Sequence, residues 1–219
     1  MPKIDLTKAV EMKVSAGRAL AIRGVGFAWE RVSGPGAVYG RTISVDTGNN
    51  ASVAGSGASA GVFPSTSWVQ ASGFPNFAGI SVADNTGSMA MVVGAEALAA
   101  NSGTVSAPAP TGDYTMLRRG VTPTAGSAFI FSGVPFSEYD VIFYGNATGA
   151  VTFDATFSAQ GMSVSLSGSG NQYSGSLVEG GNYIKLAGLV GPDVRIEFSS
   201  SVVPGRWAVC GFQVVERLD

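Results

Sequence analysis

The chain has no histidine, one cysteine in 219 residues, and little charge. Without imidazole there is no Ser-His-Asp or Cys-His nucleophile and no zinc site built on histidine. Cys210 has no partner for an internal disulfide. It sits in the apolar run Ala208-Val209-Cys210-Gly211-Phe212 and reads as a small buried hydrophobe. Charged residues make up 13% of the chain, about half of the ~25% usual in soluble domains. Net charge is −2 and no basic run exceeds Arg118-Arg119, so the phosphate attraction that nucleic-acid binding rests on is missing. No stretch reaches the ~20 apolar residues of a membrane span. The charged start (Lys3, Asp5, Lys8, Glu11, Lys13) is not followed by the apolar core of a secretory leader. The expectation is a protein made in the cytoplasm, without membrane or nucleic-acid partners.

What the chain does contain is glycine, serine and short apolar-polar alternation. Val151, Phe153, Ala155 and Phe157 alternate with polar residues, as do Met162, Val164 and Leu166, and Val194, Ile196 and Phe198. Period 2 predicts half-buried antiparallel strands. Gln160-Gly161, Ser167–Asn171, Glu179–Asn182 and Gly191–Asp193 read as the turns between strands. Ala95–Ala100 is the one segment with helical composition, and Ala51–Gly61 reads as a long loop. Many short strands at this spacing predict an all-β, antiparallel jelly-roll sandwich. Three regions follow: a small β anchoring segment over residues 1–32, a Pro/Gly linker over 33–38, and the sandwich over 39–219. Trp207 and Phe212 fall in the last strand and read as core.

Candidate chemistry is sparse. Glu138 and Asp140 share one face of an extended strand at i and i+2. Glycoside hydrolysis needs two carboxylates across one bond, but Ser137-Glu138-Tyr139-Asp140 reads better as a turn entering a strand, with both acids solvated. Asp84 and Asn85, in Asp84-Asn85-Thr86-Gly87, offer oxygen ligands for Ca²⁺ and equally form an ordinary turn, which is the favoured reading. Trp68, Phe74 and Phe77 lie in a Gly/Pro/Ser-rich region where a sugar-stacking platform could form; alternatively Trp68 plugs one end of the sandwich. Arg118 could clamp an anionic sugar, against a plain solvated loop charge. No catalytic residue and no cofactor is expected.

Two resemblances add to this. Thr42–Val45, Ala60-Gly61-Val62-Phe63-Pro64 with Trp68, Asp84–Gly87, Gly112–Gly120, Gly133-Val134-Pro135 before Tyr139–Tyr144, and Gly181–Ile184 occur in one order. Over Arg41–Glu216 the chain resembles bacterial extracellular jelly-roll domains close to galactose-binding-like carbohydrate modules. Ile4, Leu6, Val14, Gly17, Ile22, Gly24 and Phe27-Ala28-Trp29-Glu30 resemble the amino-terminal segment of tailed-phage virion proteins. The second resemblance implies that Ile4, Leu6, Phe27 and Trp29 dock the chain to other virion proteins, capsid or tail. It also implies a non-enzymatic head decoration, head fibre or tail-associated subunit. A homo-oligomer, first of all a trimer, is expected, with host surface glycans as ligands of the outer domain. A bacterial carbohydrate-binding module and, third, a carboxylate-dependent hydrolase or lyase are the alternatives.

Overall fold

The computed structural model describes residues 38–48, 53–54, 56–71, 79–100, 112–117, 120–147, 152–169, 173, 175–200 and 207–218. Residues 1–32 with Ile4, Leu6, Phe27 and Trp29, residues 33–37, and Phe74, Phe77 and Arg118 lie outside them. Gly40–Arg217 forms one compact unit. In chain order its strands are β1 (Tyr39–Asp46), β2 (Trp68–Gln70), β3 (Ile80–Ala83), β4 (Ala90–Glu96) and β5 (Ala99–Ala100). After α1 (Gly112–Leu117) come β6 (Val121–Thr122), β7 (Ala128–Ser132), β8 (Glu138–Ala147) and β9 (Thr152–Ala159). The last four are β10 (Met162–Ser169), β11 (Tyr183–Val190), β12 (Val194–Ser200) and β13 (Trp207–Arg217).

These form an all-β sandwich of two sheets. One runs β11-β8-β13-β1-β2, with β6 and β5 added beside β13; the other runs β10-β9-β12-β7-β4-β3. Pairing is antiparallel except for β1 with β2, which align Ser44 with Trp68. Between the sheets lies an aromatic core. The ring centroids of Phe157 and Phe198 are 4.5 Å apart, those of Phe143 and Phe157 4.7 Å, and those of Phe131 and Phe212 5.0 Å. Removing one such ring costs about 3–5 kcal/mol.

The period-2 reading holds in the six-stranded sheet, where Val194, Ile196 and Phe198 face inward and Arg195, Glu197 and Ser199 face water. In the seven-stranded sheet both faces are buried: Tyr139, Val141 and Phe143 point to the core, while Asp140, Ile142 and Tyr144 on the other face are equally inaccessible. The segment 60–68 and α1 cover that second face. Val62 N–H donates to the Tyr144 hydroxyl at 2.8 Å, and Gln213 Nε2 donates to Phe63 O at 2.7 Å. On α1, Met116 and Leu117 are fully buried, and Leu117 O accepts from the Cys210 thiol at 3.4 Å.

The helix expected at Ala95–Ala100 is replaced by strand. Met91, Val93 and Ala95 alternate inward along β4, and Ala97, at φ 53°, turns the chain before β5. The described helix lies at Gly112–Leu117 instead, where the start of the segment runs against the 59–61 backbone. A Cβ on Gly112 would stand 1.9 Å from Ser59 O.

Candidate functional site

The carboxylates are the natural place to look for chemistry, and nearly every buried one grips a loop. Asp46 ends β1 with its side chain buried; Oδ1 accepts from Gly48 N–H at 2.6 Å and Oδ2 from Val53 N–H at 2.7 Å. Asp113, in the first turn of α1, accepts Gly61 N–H at 2.7 Å. Burial pushes its carboxyl up, and the Gly61 bond opposes that. Asn182 does the same work without charge, taking Val178 N–H at 2.7 Å. A carboxylate holding backbone N–H groups makes strong, charge-assisted bonds that fix the loop it closes.

Glu138 and Asp140 correct the expectation of two solvated acids. Glu138 opens β8 and keeps 39% of its side chain exposed, but Asp140 retains only 1%. Arg217 reaches both, with Nε 3.3 Å from Glu138 and Nη1 3.8 Å from Asp140, while Lys185 Nζ stands 3.8 Å from Asp140. Asp140 Oδ1 also accepts Gly188 N–H at 2.8 Å. Gly188 sits at φ 74° in the bulge between Leu186 and Leu189, the place where β11 carries an extra residue against β8. The two acids therefore close around a shared guanidinium and a bulge, an arrangement that suits strand locking rather than attack across a glycosidic bond.

At Asp84-Asn85-Thr86-Gly87 the turn is formed. Asp84 Oδ1 accepts from Thr86 N–H (2.9 Å), the Thr86 hydroxyl (2.7 Å) and Ser88 N–H (3.1 Å); Asn85 Oδ1 takes Thr42 N–H at 3.2 Å. Burial alone would push the Asp84 carboxyl up, but the Thr86 hydroxyl and the Ser88, Thr86 and Met89 N–H groups outweigh it and hold it below the usual range. Oδ2 is buried without a hydrogen bond and lies 3.9 Å from Arg41 Nη1. Arg41 forks onto Glu216 at 2.7 and 2.9 Å, which holds the Glu216 carboxyl down, and its guanidinium lies 5.3 Å from the centroid of the Phe136 ring. A fixed guanidinium beside Asp84 disfavours a Ca²⁺ ion there. Among the described residues no group of three or more metal-ligating side chains is assembled.

Trp68 is turned inward. It is 5% exposed, its indole N–H donates to Ser65 O at 2.9 Å, and its ring packs edge-on against Tyr144 at 6.1 Å. With its faces covered it packs on the second face of the seven-stranded sheet, beside Tyr144, rather than plugging one end of the sandwich, and it offers no stacking platform to a sugar. Tyr144 in turn donates to Gln213, whose Nε2 donates to Ser44 Oγ at 3.0 Å; desolvation pushes the Tyr144 phenol far up. Cys210 is buried and its thiol is likewise pushed up, chiefly by burial, so it is a poor nucleophile.

Among the described residues, the outer face of the six-stranded sheet offers a surface for binding. At the β9–β10 turn a cavity of about 400 Å³ is lined by Ser158–Ser163 with Arg195 and Glu197. Arg195 is held between Glu96 (2.6 Å) and Glu197 (3.1 Å), both exposed. Ser158, Gln160 and Ser163 put polar groups beside the Arg195–Glu197 ion pair, with Ala159 and Met162 as the apolar part of the lining. Sequence reasoning missed this patch, because its residues come from strands that are distant in the chain and ordinary one by one. In comparisons with known proteins, no family model, curated protein or solved structure matches the chain.

Proposed function

We propose that this chain is a non-enzymatic structural protein of a tailed-phage virion, a head decoration, head fibre or tail-associated subunit. Its sandwich, of jelly-roll type, is the exterior module, and residues 1–32 dock it to capsid or tail. The observation that carries the non-enzymatic part is the use of the acids. Asp46 and Asp84 are buried and bound to the backbone of their own loops, and buried Asp140 is bound to the bulge of the neighbouring strand β11, which favours rigidity and resistance to proteolysis over acid–base chemistry. The virion part rests on the resemblance of the first thirty residues. Host surface glycan is the ligand of the outer module, and the cavity between Ser158 and Glu197 is where it would sit.

Deleting residues 1–32 and measuring incorporation into particles tests the docking. Loss of incorporation with the sandwich still folded is expected; incorporation equal to the full chain refutes it. The same cavity also favours a second reading, a bacterial carbohydrate-binding module. A glycan array separates the two: specific binding lost in Arg195→Ala, without any association with particles, selects the second.

A further inference from the structure

A sheet edge presents unpaired N–H and C=O groups, and proteins block such edges with short strands, bulges, lysine or proline. Among the described strands, the edges β2, β3, β5 and β11 are blocked in that manner, β5 by its length of two residues. β2 has three residues, and β3 has four and is followed by Asp84 bridging to Ile43 of β1. β11 carries a bulge and Lys185, and its last residue is capped: Val190 N–H donates to Gln160 Oε1 (3.2 Å) and Val190 O accepts from Gln160 Nε2 (2.7 Å).

β10 has none of these devices. Its eight residues, Met-Ser-Val-Ser-Leu-Ser-Gly-Ser, hold neither charge nor proline, and they pair one for one with β9 from Met162–Ala159 to Ser169–Thr152 without a shift. The turn Gln160-Gly161 has φ 50° and 77°, the two-residue hairpin in which the flanking residues exchange both hydrogen bonds. Every second residue after Met162 therefore directs its N–H and C=O away from β9. These are Ser163, Ser165 and Ser167, all exposed, and among the described residues no strand pairs with β10 on that side.

We infer that β10 is a homodimer interface, in which two copies pair β10 antiparallel across a two-fold axis at Ser165. The two six-stranded sheets then join into one. The occupant is a second copy because the strand is complementary to itself. Around that axis Ser165 faces Ser165 of the partner subunit, Ser163 faces Ser167 of the partner subunit, and Val164 faces Leu166 of the partner subunit. In a two-fold contact a residue on the axis meets itself, so any charge there repels; the stretch has none. Met162 and Val164, packed on the core but only partly covered, gain cover from the added strand. The pairing closes as a dimer, in place of the trimer expected from the sequence, and it does not depend on the virion reading.

The test is the mass of the full chain in solution, by sedimentation velocity over a range of concentrations. Wild type is expected as a dimer. Ser165→Lys, on the exposed face of the strand, is expected to weaken dimerisation on the order of 100-fold through like charges on the axis, with circular dichroism and melting unchanged. S163K/S167K is expected to be monomeric, whereas S163K/S167E regains the dimer, because position 163 faces position 167 across the axis. A wild-type monomer or trimer, a dimer that S165K leaves intact, or an S163K/S167E monomer overturns the proposal.

Discussion

Replacing Asp46 by alanine should be among the costliest changes to a polar residue in this protein. Its carboxylate is inaccessible and receives two short bonds, from Gly48 N–H at 2.6 Å and Val53 N–H at 2.7 Å. A hydrogen bond to a charged group contributes about 1.5–3 kcal/mol. Two would sum to about 3–6 kcal/mol, but removing the charge also relieves its desolvation, so about 3 kcal/mol is expected. That is a large part of the ~5–15 kcal/mol by which a domain is stable. Asp46→Asn keeps one acceptor but sets an NH₂ against an N–H, and should lose about 2 kcal/mol. Urea unfolding measures the loss, with an unchanged slope, and amide exchange should accelerate at Gly48 and Val53. Asp154→Ala, on an exposed strand position, is the control and should stay within about 0.5 kcal/mol of wild type. A D46A protein as stable as that control would refute the clamp.

Two further outcomes follow from the packing and the charges. Gly120→Ala sets a Cβ 2.0 Å from Val209 O, a backbone atom of β13 that cannot step aside, and should cost about 3 kcal/mol or prevent folding, whereas Gly181→Ala, whose nearest contact is 3.4 Å, should fold normally; thermal melting separates them. The Asp84 and Glu216 carboxyls are held below their ordinary range, so the stability they contribute is complete above the unfolded carboxylate pKa and is lost as pH falls through the lower folded values. Unfolding free energy measured from pH 7 downward should fall in that window, and less steeply in Asp84→Asn than in wild type.

Legibility in the sequence tracked how local the cause was. Alternation along β9, β10 and β12 and the turns at Gln160-Gly161, Glu179–Asn182 and Gly191–Asp193 depend on near neighbours, and they could be read directly. Cys210 and Phe212 inside, and the turn at Asp84, belong to the same class. The second buried face of the seven-stranded sheet could not be read, because it exists only once segment 60–68 and α1 fold over β8 and β13. Trp68 is covered by that same step. Asp140 looked solvated because its partners Lys185 and Arg217 lie far along the chain. Ala95–Ala100 misled through composition: helix-forming alanines fit a strand when every second residue packs inward, as Ala95 does.

Asp140→Asn offers the most direct comparison between structural and catalytic use of the acids, with unfolding free energy and release of reducing ends from polysaccharide measured on the same preparations. Loss of charge removes the pairing of Asp140 with Lys185 and with Arg217, which Glu138 still holds, and weakens the bond from Gly188 N–H, so the variant should unfold about 2 kcal/mol more easily. Neither wild type nor variant should cleave polysaccharide. A wild-type protein that depolymerises glycan, beside an equally stable Asp140→Asn protein that does not, would contradict the account.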